Sequence, residues 1–192
     1  MAPQMTKLRQ FHNYIKYRVI SQYAKNVTSL LDIACGRGGD IFKFERNDIK
    51  FVLGVDIENE YIEEAINRCS TSKFHDVYKF LCIAENESLT NQIKMLYGLK
   101  FKCISCQFAL HYFFKNEHMF DTFCKDVSNM LDENGYFFGT VLNGDKVHNL
   151  LKENRNHIQN ACSNIKSDYD MLLYNKQFGN KISFYMPGTL YF

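Results

Sequence analysis

The chain has 192 residues, 46% of them apolar, and a formal net charge of only +2. That is enough for one domain with a full hydrophobic core, and the small charge excludes a grossly basic nucleic-acid wrapper while leaving room for a local basic pocket. No apolar stretch approaches the roughly 18 residues that cross a bilayer, the N-terminus has no apolar signal core, and the seven cysteines are scattered and odd in number, so a soluble intracellular protein with reduced thiols is expected.

Leu8, Phe11, Ile15, Val19 and Tyr23 recur at helical spacing, which predicts an amphipathic helix over about residues 7 to 25. Five apolar runs follow and read as strands: Ser29–Cys35, Phe51–Ile57, Tyr78–Ala84, Lys102–Phe108 and Gly135–Leu142. Most lack alternation, as strands buried on both faces of a parallel sheet do. Between them lie helical patterns: Ile62, Ala65, Ile66 and Cys69; a weaker segment over Leu89–Tyr97; and Phe120, Phe123, Cys124, Val127, Met130 and Leu131. Strand and helix therefore alternate, which predicts an α/β, Rossmann-like, doubly wound and mostly parallel sheet with helices on both faces. Beyond about residue 146, Asn, Lys, Tyr and Ser dominate, until a turn at Gly179-Asn180 leads into a strand over Lys181–Met186. Cys103 and Cys106 have C-x-x-C spacing, but residues three apart on a strand point to opposite faces, which suits neither zinc nor a disulfide.

Three segments carry chemistry. Leu31-Asp32-Ile33-Ala34-Cys35-Gly36-Arg37-Gly38-Gly39-Asp40 is a buried strand breaking into a glycine-rich loop that opens a helix. Glycines allow close backbone approach to a ligand, and a helix start offers N–H groups to an anion; a bare strand-to-helix turn is the alternative. The second strand ends in Asp56, 20 residues after Gly36. In nucleoside-binding α/β folds an acid at about this distance accepts hydrogen bonds from ribose hydroxyls, although an Asp also suits a helix N-cap. The fourth strand ends in Gln107-Phe108-Ala109-Leu110-His111-Tyr112. Open α/β sheets bind ligands beyond the carboxyl ends of their strands, where Phe and Tyr can stack on a base and His can donate to a carbonyl. Core aromatics at a strand end remain the plainer alternative.

These segments, taken in order, resemble the eukaryotic and viral mRNA cap guanine-N7 methyltransferases. Leu8-Arg9-Gln10-Phe11-His12-Asn13-Tyr14-Ile15-Lys16 is similar to the family's N-terminal helix, the Leu31–Asp40 segment to its cofactor loop, Gln107–Tyr112 to its substrate segment, and Gly135-Tyr136-Phe137-Phe138-Gly139-Thr140 to its fifth strand. Asn143-Gly144-Asp145-Lys146 resembles the viral members in particular. The resemblance implies a class I methyltransferase fold and S-adenosylmethionine as cofactor, leaving S-adenosylhomocysteine as product. It implies that Lys16 and Asp40 bind the amino-acid end of the cofactor and that Ala34 and Gly36 pass beneath it with their backbone. Asp56 would hold the ribose, Asn86 would stand at the adenine edge, and Gln107 would lie against the cofactor through its backbone. Phe108, His111 and Tyr112 would line the guanine pocket, with His12 from the N-terminal helix, and Arg37 and Arg68 would meet the cap phosphates. For Arg68 an exposed helix charge is the plainer alternative.

The expected organisation is one methyltransferase domain over residues 1–192, with an N-terminal helix in 1–28, a cofactor-binding core in 29–146 and a cap-side extension in 147–192. Capped RNA or the guanosine triphosphate end of a cap is the implied partner, with other capping-enzyme domains or an activating subunit beside it, in the nucleus or, for a viral protein, the cytoplasm. No metal and no membrane are implied. Three positions depart from the family pattern. His12 replaces an Asn, Leu142 replaces a Pro, and Ala34 replaces a Gly, a change that requires a negative φ at Ala34. The family's cap-binding Glu has no match up to Phe192, so a C-terminally incomplete catalytic domain is expected. Two rivals remain at this level: a methyltransferase for another RNA site or a small molecule, and a non-catalytic subunit of the same fold.

Overall fold

Runs of apolar residues without alternation become strands, buried on both faces in the middle of the sheet and partly exposed at its two edges. In the computed structural model, which describes residues 3–72, 75–84, 88–98, 100–160, 163–171, 174 and 177–185, five of them form one parallel sheet. They are β1 (Leu30–Ile33), β2 (Val52–Asp56), β3 (Tyr78–Cys82), β4 (Phe101–Gln107) and β5 (Leu131–Thr140), in the order β3-β2-β1-β4-β5. The chain winds outward from β1 to β3, then crosses back to β4 on the other side of β1. The reversal between β1 and β4 is a topological switch point, where loops leaving the strand ends diverge and open a crevice.

Helices cover both faces, as expected. On one face Leu31, Ile33, Leu53, Val55 and Cys106 pack with Ile93 of α4 (Leu89–Tyr97) and with Phe123 and Met130 of α5 (Glu117–Met130). On the other, Leu30, Val52, Cys103 and Phe138 pack with Ile20 and Ala24 of α1 (Pro3–Tyr23), Ile41 and Phe44 of α2 (Ile41–Glu45) and Cys69 of α3 (Asn59–Ser70). Cys103 and Cys106 thus lie in opposite clusters, as the two-residue period of a strand requires.

The weakly patterned α4 is held by its ends. Ser88 caps it, Gly98 closes it at φ +60°, and the buried Asp126 carboxylate of α5 accepts hydrogen bonds from Ser88 Oγ at 2.8 Å, Leu89 N at 3.1 Å and Thr90 N at 3.3 Å. A tertiary carboxylate at a helix N-terminus satisfies otherwise unpaired N–H groups and complements the helix dipole.

Some expectations need correction. Ile66 and Cys124, counted in apolar stripes, are exposed, so each helix buries a narrower face than its sequence suggests. Strand β5 begins at Leu131, ahead of Gly135, because a register shift opposite Phe101 and Cys103 lets an irregular start join the ladder, with Asn134 at φ +59°. After β5 come α6 (Gly144–Glu153), capped by Asn143, and a three-stranded antiparallel sheet of β6 (His157–Gln159), β7 (Asn164–Ser167) and β8 (Ile182–Tyr185). Of these only β8 was expected from the sequence; Met186, at the end of its predicted run, lies outside the described residues. No helix among the described residues is long and apolar enough to cross a membrane.

Candidate active site

The chain leaves β1 through a turn with three left-handed residues: Ala34 at φ +56°, Gly36 at +53° and Gly38 at +69°. The two glycines serve opposite ends. A Cβ on Gly38 would sit 2.6 Å from Ile41 Cδ1 and 3.2 Å from Ala65 Cβ, so its absence lets the loop settle on α2 and α3. A Cβ on Gly36 would meet nothing within 4 Å, so that residue borders open space at the strand ends. Ala34 was expected to need a negative φ and does not have one. It occupies the left-handed region at a cost of roughly 1–2 kcal/mol, held there by the hydrogen bond from Cys35 N to Val55 O.

Asp56, at the end of β2, is tied to this turn. Its Oδ2 accepts from Gly36 N at 2.8 Å and its Oδ1 from Glu58 N at 3.1 Å. A carboxylate has about four acceptor positions, so each oxygen keeps capacity for a further donor. The 20-residue spacing seen in the sequence is therefore a direct contact between the ends of β1 and β2.

At the start of α2, where the loop pattern suggested N–H groups free for an anion, Ile41 N donates to Gly38 O at 3.4 Å and Lys43 N to Asp40 O at 2.8 Å, while the Asp40 side chain at the N-cap position makes no capping hydrogen bond. Lys16 of α1 reaches both oxygens of this buried carboxylate at 2.8 Å, and Lys43 reaches Oδ1 at 2.7 Å. Burial works to raise the Asp40 pKa, but Lys16 and Lys43 outweigh it and hold the group below the ordinary carboxylate value. The result is one anion between two cations, an arrangement suited to a zwitterionic ligand.

Beneath this cluster lies Asp32, buried inside β1. Burial first, then the charge of Asp40, pushes its pKa up to about 8, opposed by a hydrogen bond with Ser105 and by Lys16. Ser105 Oγ in turn accepts from Gln107 Nε2 at 3.2 Å, and Gln107 Oε1 accepts from Thr140 Oγ1 at 2.9 Å. A polar line thus runs across β1, β4 and β5 under the crevice. It fixes the Gln107 side chain and leaves its backbone at the strand end.

Past β4 the chain turns sharply. Phe108 sits at φ +56°, a strained conformation for a bulky residue, while its N–H donates to Thr140 O at 2.8 Å. Its ring lies 4.7 Å from that of His12 on α1. A 3-10 helix, Leu110–Lys115, then carries His111 and Tyr112, whose ring centroids are 4.2 Å apart. Burial lowers the His111 pKa and so favours the neutral imidazole. Burial, then Tyr61 and Asp56, raises the Tyr112 pKa. Burial, then Lys16, lowers the His12 pKa.

Arg37, expected to reach toward a ligand phosphate, is engaged by α3. Its guanidinium pairs with Glu64 and lies 4.6 Å from the Tyr61 ring centroid. Arg68 is exposed one helical turn beyond Glu64 on the same face, so Tyr61, Glu64 and Arg68 form a stripe beside the glycine turn. Asn86 lies outside the described residues. Sequence reading missed Asp32, Ser105, Thr140, Tyr61 and Glu64. A signal existed for Asp32, a lone carboxylate inside the buried run Leu30-Leu31-Asp32-Ile33.

The chain matches the family described as mRNA (guanine-N(7))-methyltransferase domain over residues 2–190. It is 33% identical over 173 residues to the Probable mRNA-capping enzyme of Acanthamoeba polyphaga mimivirus, an alignment covering 76% of this chain and 14% of that protein. It is also 33% identical over 151 residues to the mRNA cap guanine-N(7) methyltransferase of Saccharomyces cerevisiae, covering 77% of this chain and 35% of that protein. The chain therefore spans about a third or less of the length of these relatives. Among solved structures, an S-adenosylmethionine-dependent methyltransferase from Clostridium acetobutylicum aligns with a TM-score of 0.54 at 19% identity, covering 82% of this chain and 60% of that one. The glycopeptide N-methyltransferase MtfA, complexed with S-adenosyl-L-methionine, aligns with a TM-score of 0.53 at 13% identity, covering 65% and 52%. At these identities the two structures share the fold.

Proposed function

The chain belongs to the mRNA (guanine-N(7))-methyltransferase domain family, and from that premise we propose that it transfers the methyl group of S-adenosylmethionine to N7 of the guanine in an mRNA 5′ cap. The observation that carries this reading is the hydrogen bond joining Gly36 to Asp56 at the carboxyl ends of β1 and β2, beside the switch point, with Phe108, His111 and Tyr112 gathered at the neighbouring end of β4. The residues fit the cofactor part by part. Asp56 retains acceptor capacity for two ribose hydroxyls, Asp40 is the negative partner for the ammonium, and Lys16 is the positive partner for the carboxylate. Ala34, Gly36 and Gln107 offer backbone at the strand ends, and Asn86 is assigned to the adenine edge.

When bound, the cofactor supplies an electrophilic methyl group. Guanine N7 carries a free lone pair, so no side chain needs to remove a proton. The protein's task is alignment, which can supply about 7–11 kcal/mol of the barrier. Phe108, Tyr112 and His12 hold the plane of the base, and neutral His111 donates a hydrogen bond to guanine O6. Arg37 and Arg68 take the cap phosphates; for Arg37 this means exchanging Glu64 for a phosphate, a partner that matches its planar fork equally well. The wider partners follow from the same reading: capped RNA, and other capping-enzyme domains or an activating subunit, inside the cell in the nucleus or, for a viral protein, in the cytoplasm.

Calorimetry with S-adenosylhomocysteine tests the site. Asp56→Ala should weaken binding by about 1–3 kcal/mol, roughly fivefold to 150-fold, the cost of losing a charge-assisted acceptor. Affinity for a cap dinucleotide should change little. Unchanged S-adenosylhomocysteine affinity would overturn the assignment of Asp56 to the ribose.

A further inference from the structure

The first 31 residues contain five Lys and Arg and no Asp or Glu, in a chain whose total charge is nearly balanced. Most of this basic segment is α1. Lys16 turns inward to Asp40, while Arg9 and Arg18 are exposed. Between α1 and α2 runs an open groove of about 500 Å³, lined by Gln10, Asn13, Tyr14, Tyr17, Phe42 and Arg46, with Lys43 at its inner side. No carboxylate is among the described residues that line it. Tyr14 and Phe42 are 55% and 54% exposed, although the neighbouring Ile41 and Phe44 of α2 are buried in the core. The Tyr14 ring is held in place: the Arg18 guanidinium lies 5.9 Å from its centroid and donates to its hydroxyl at 3.2 Å.

Exposed aromatic rings, side-chain amides and cations along a groove without acids are the combination that single-stranded nucleic acids use, through base stacking and phosphate attraction. One residue links the groove to the site above. Lys43 lines it and pairs with Asp40, which Lys16 also holds.

We propose that the α1–α2 groove binds the single-stranded RNA that follows the cap, with bases stacked on Tyr14 and Phe42 and phosphates drawn by Arg46 and Arg18. This rests on the cap-methylation reading for the identity of the RNA. The groove's affinity for RNA can nevertheless be measured without any methyl transfer.

The experiment is fluorescence anisotropy with a labelled, uncapped single-stranded RNA of about ten nucleotides, within the usual site size of such grooves. The proteins are wild type, the double variant Tyr14→Ala/Phe42→Ala, and Arg46→Ala. The aromatic variant should lose about tenfold or more in RNA affinity. Arg46→Ala should bind more weakly and with a shallower salt dependence. Both should keep wild-type melting temperatures, S-adenosylhomocysteine affinity and KM for a cap dinucleotide, while KM for a capped oligonucleotide rises. RNA affinity equal to wild type in both variants would overturn the proposal, as would equal loss of cap-dinucleotide binding. A partner protein released by the variants while RNA affinity stays constant would overturn it too, reassigning the groove to that protein. Failure of the cap reading shows itself separately, as retained RNA binding in the groove without methylation of any cap.

Discussion

Replacing Asp40 with Ala is expected to abolish measurable cofactor binding and to cost the fold about 3 kcal/mol, near the lower end of what breaking a buried ion pair costs. The carboxylate is 8% exposed and its partners Lys16 and Lys43 only 16% and 13%, so removal leaves two ammonium groups facing each other with little water between them. The ligand's own ammonium would then have lost its partner as well. Asp40→Asn keeps the shape but not the charge, and should be nearly as damaging to binding while milder in stability. Urea unfolding and calorimetry read the two effects separately. Wild-type affinity in Asp40→Asn would remove this residue from the cofactor site and leave it a structural tie between α1 and α2.

The second large effect concerns Asp32. Its folded pKa, about 8, lies far above that of an unfolded carboxylate, so the folded chain keeps a proton that the unfolded chain gives up. That contribution to stability is fully present below the unfolded carboxylate range and is lost as pH rises through the folded value. Stability should therefore fall between about pH 4 and pH 8, by on the order of a few kcal/mol. The groups facing Asp32 set this window. Asp40 and Asp56 disfavour its charge, Lys16 favours it, Ser105 hydrogen-bonds it, and Cys35, Cys106 and Tyr78 lie within its field without carrying charge in that range. Asp32→Asn removes the titration and should gain on wild type as pH rises across the window. Chemical denaturation at several pH values decides it: parallel curves for the two proteins would show that Asp32 is charged throughout.

Much of this architecture was legible in the sequence, for a physical reason. Strands buried on both faces are apolar at most positions rather than at alternate ones, so Leu30–Ile33, Val52–Asp56 and Phe101–Gln107 stand out without any partner in view. The strands β6 and β7 did not, because short polar strands on an exposed antiparallel sheet carry neither an apolar run nor a strict alternation. In the site, Asp56 was visible because the interval from the glycine turn follows from one strand–helix–strand unit. The engagement of Arg37 by Tyr61 and Glu64 was not, since it depends on which face of α3 meets the loop. Nor was the left-handed backbone at Ala34 and Phe108 visible, because neither residue type advertises it.

The most direct measurement of the central claim is the position of the transferred methyl. A capped RNA is incubated with the protein and S-adenosylmethionine carrying a labelled methyl group, then digested to nucleosides and separated. Label in 7-methylguanosine, and none after Tyr112→Ala despite intact S-adenosylhomocysteine binding, is the expected result. Label on a ribose, on another base, or on a small acceptor in preference to the cap would contradict cap guanine-N7 methylation at this site.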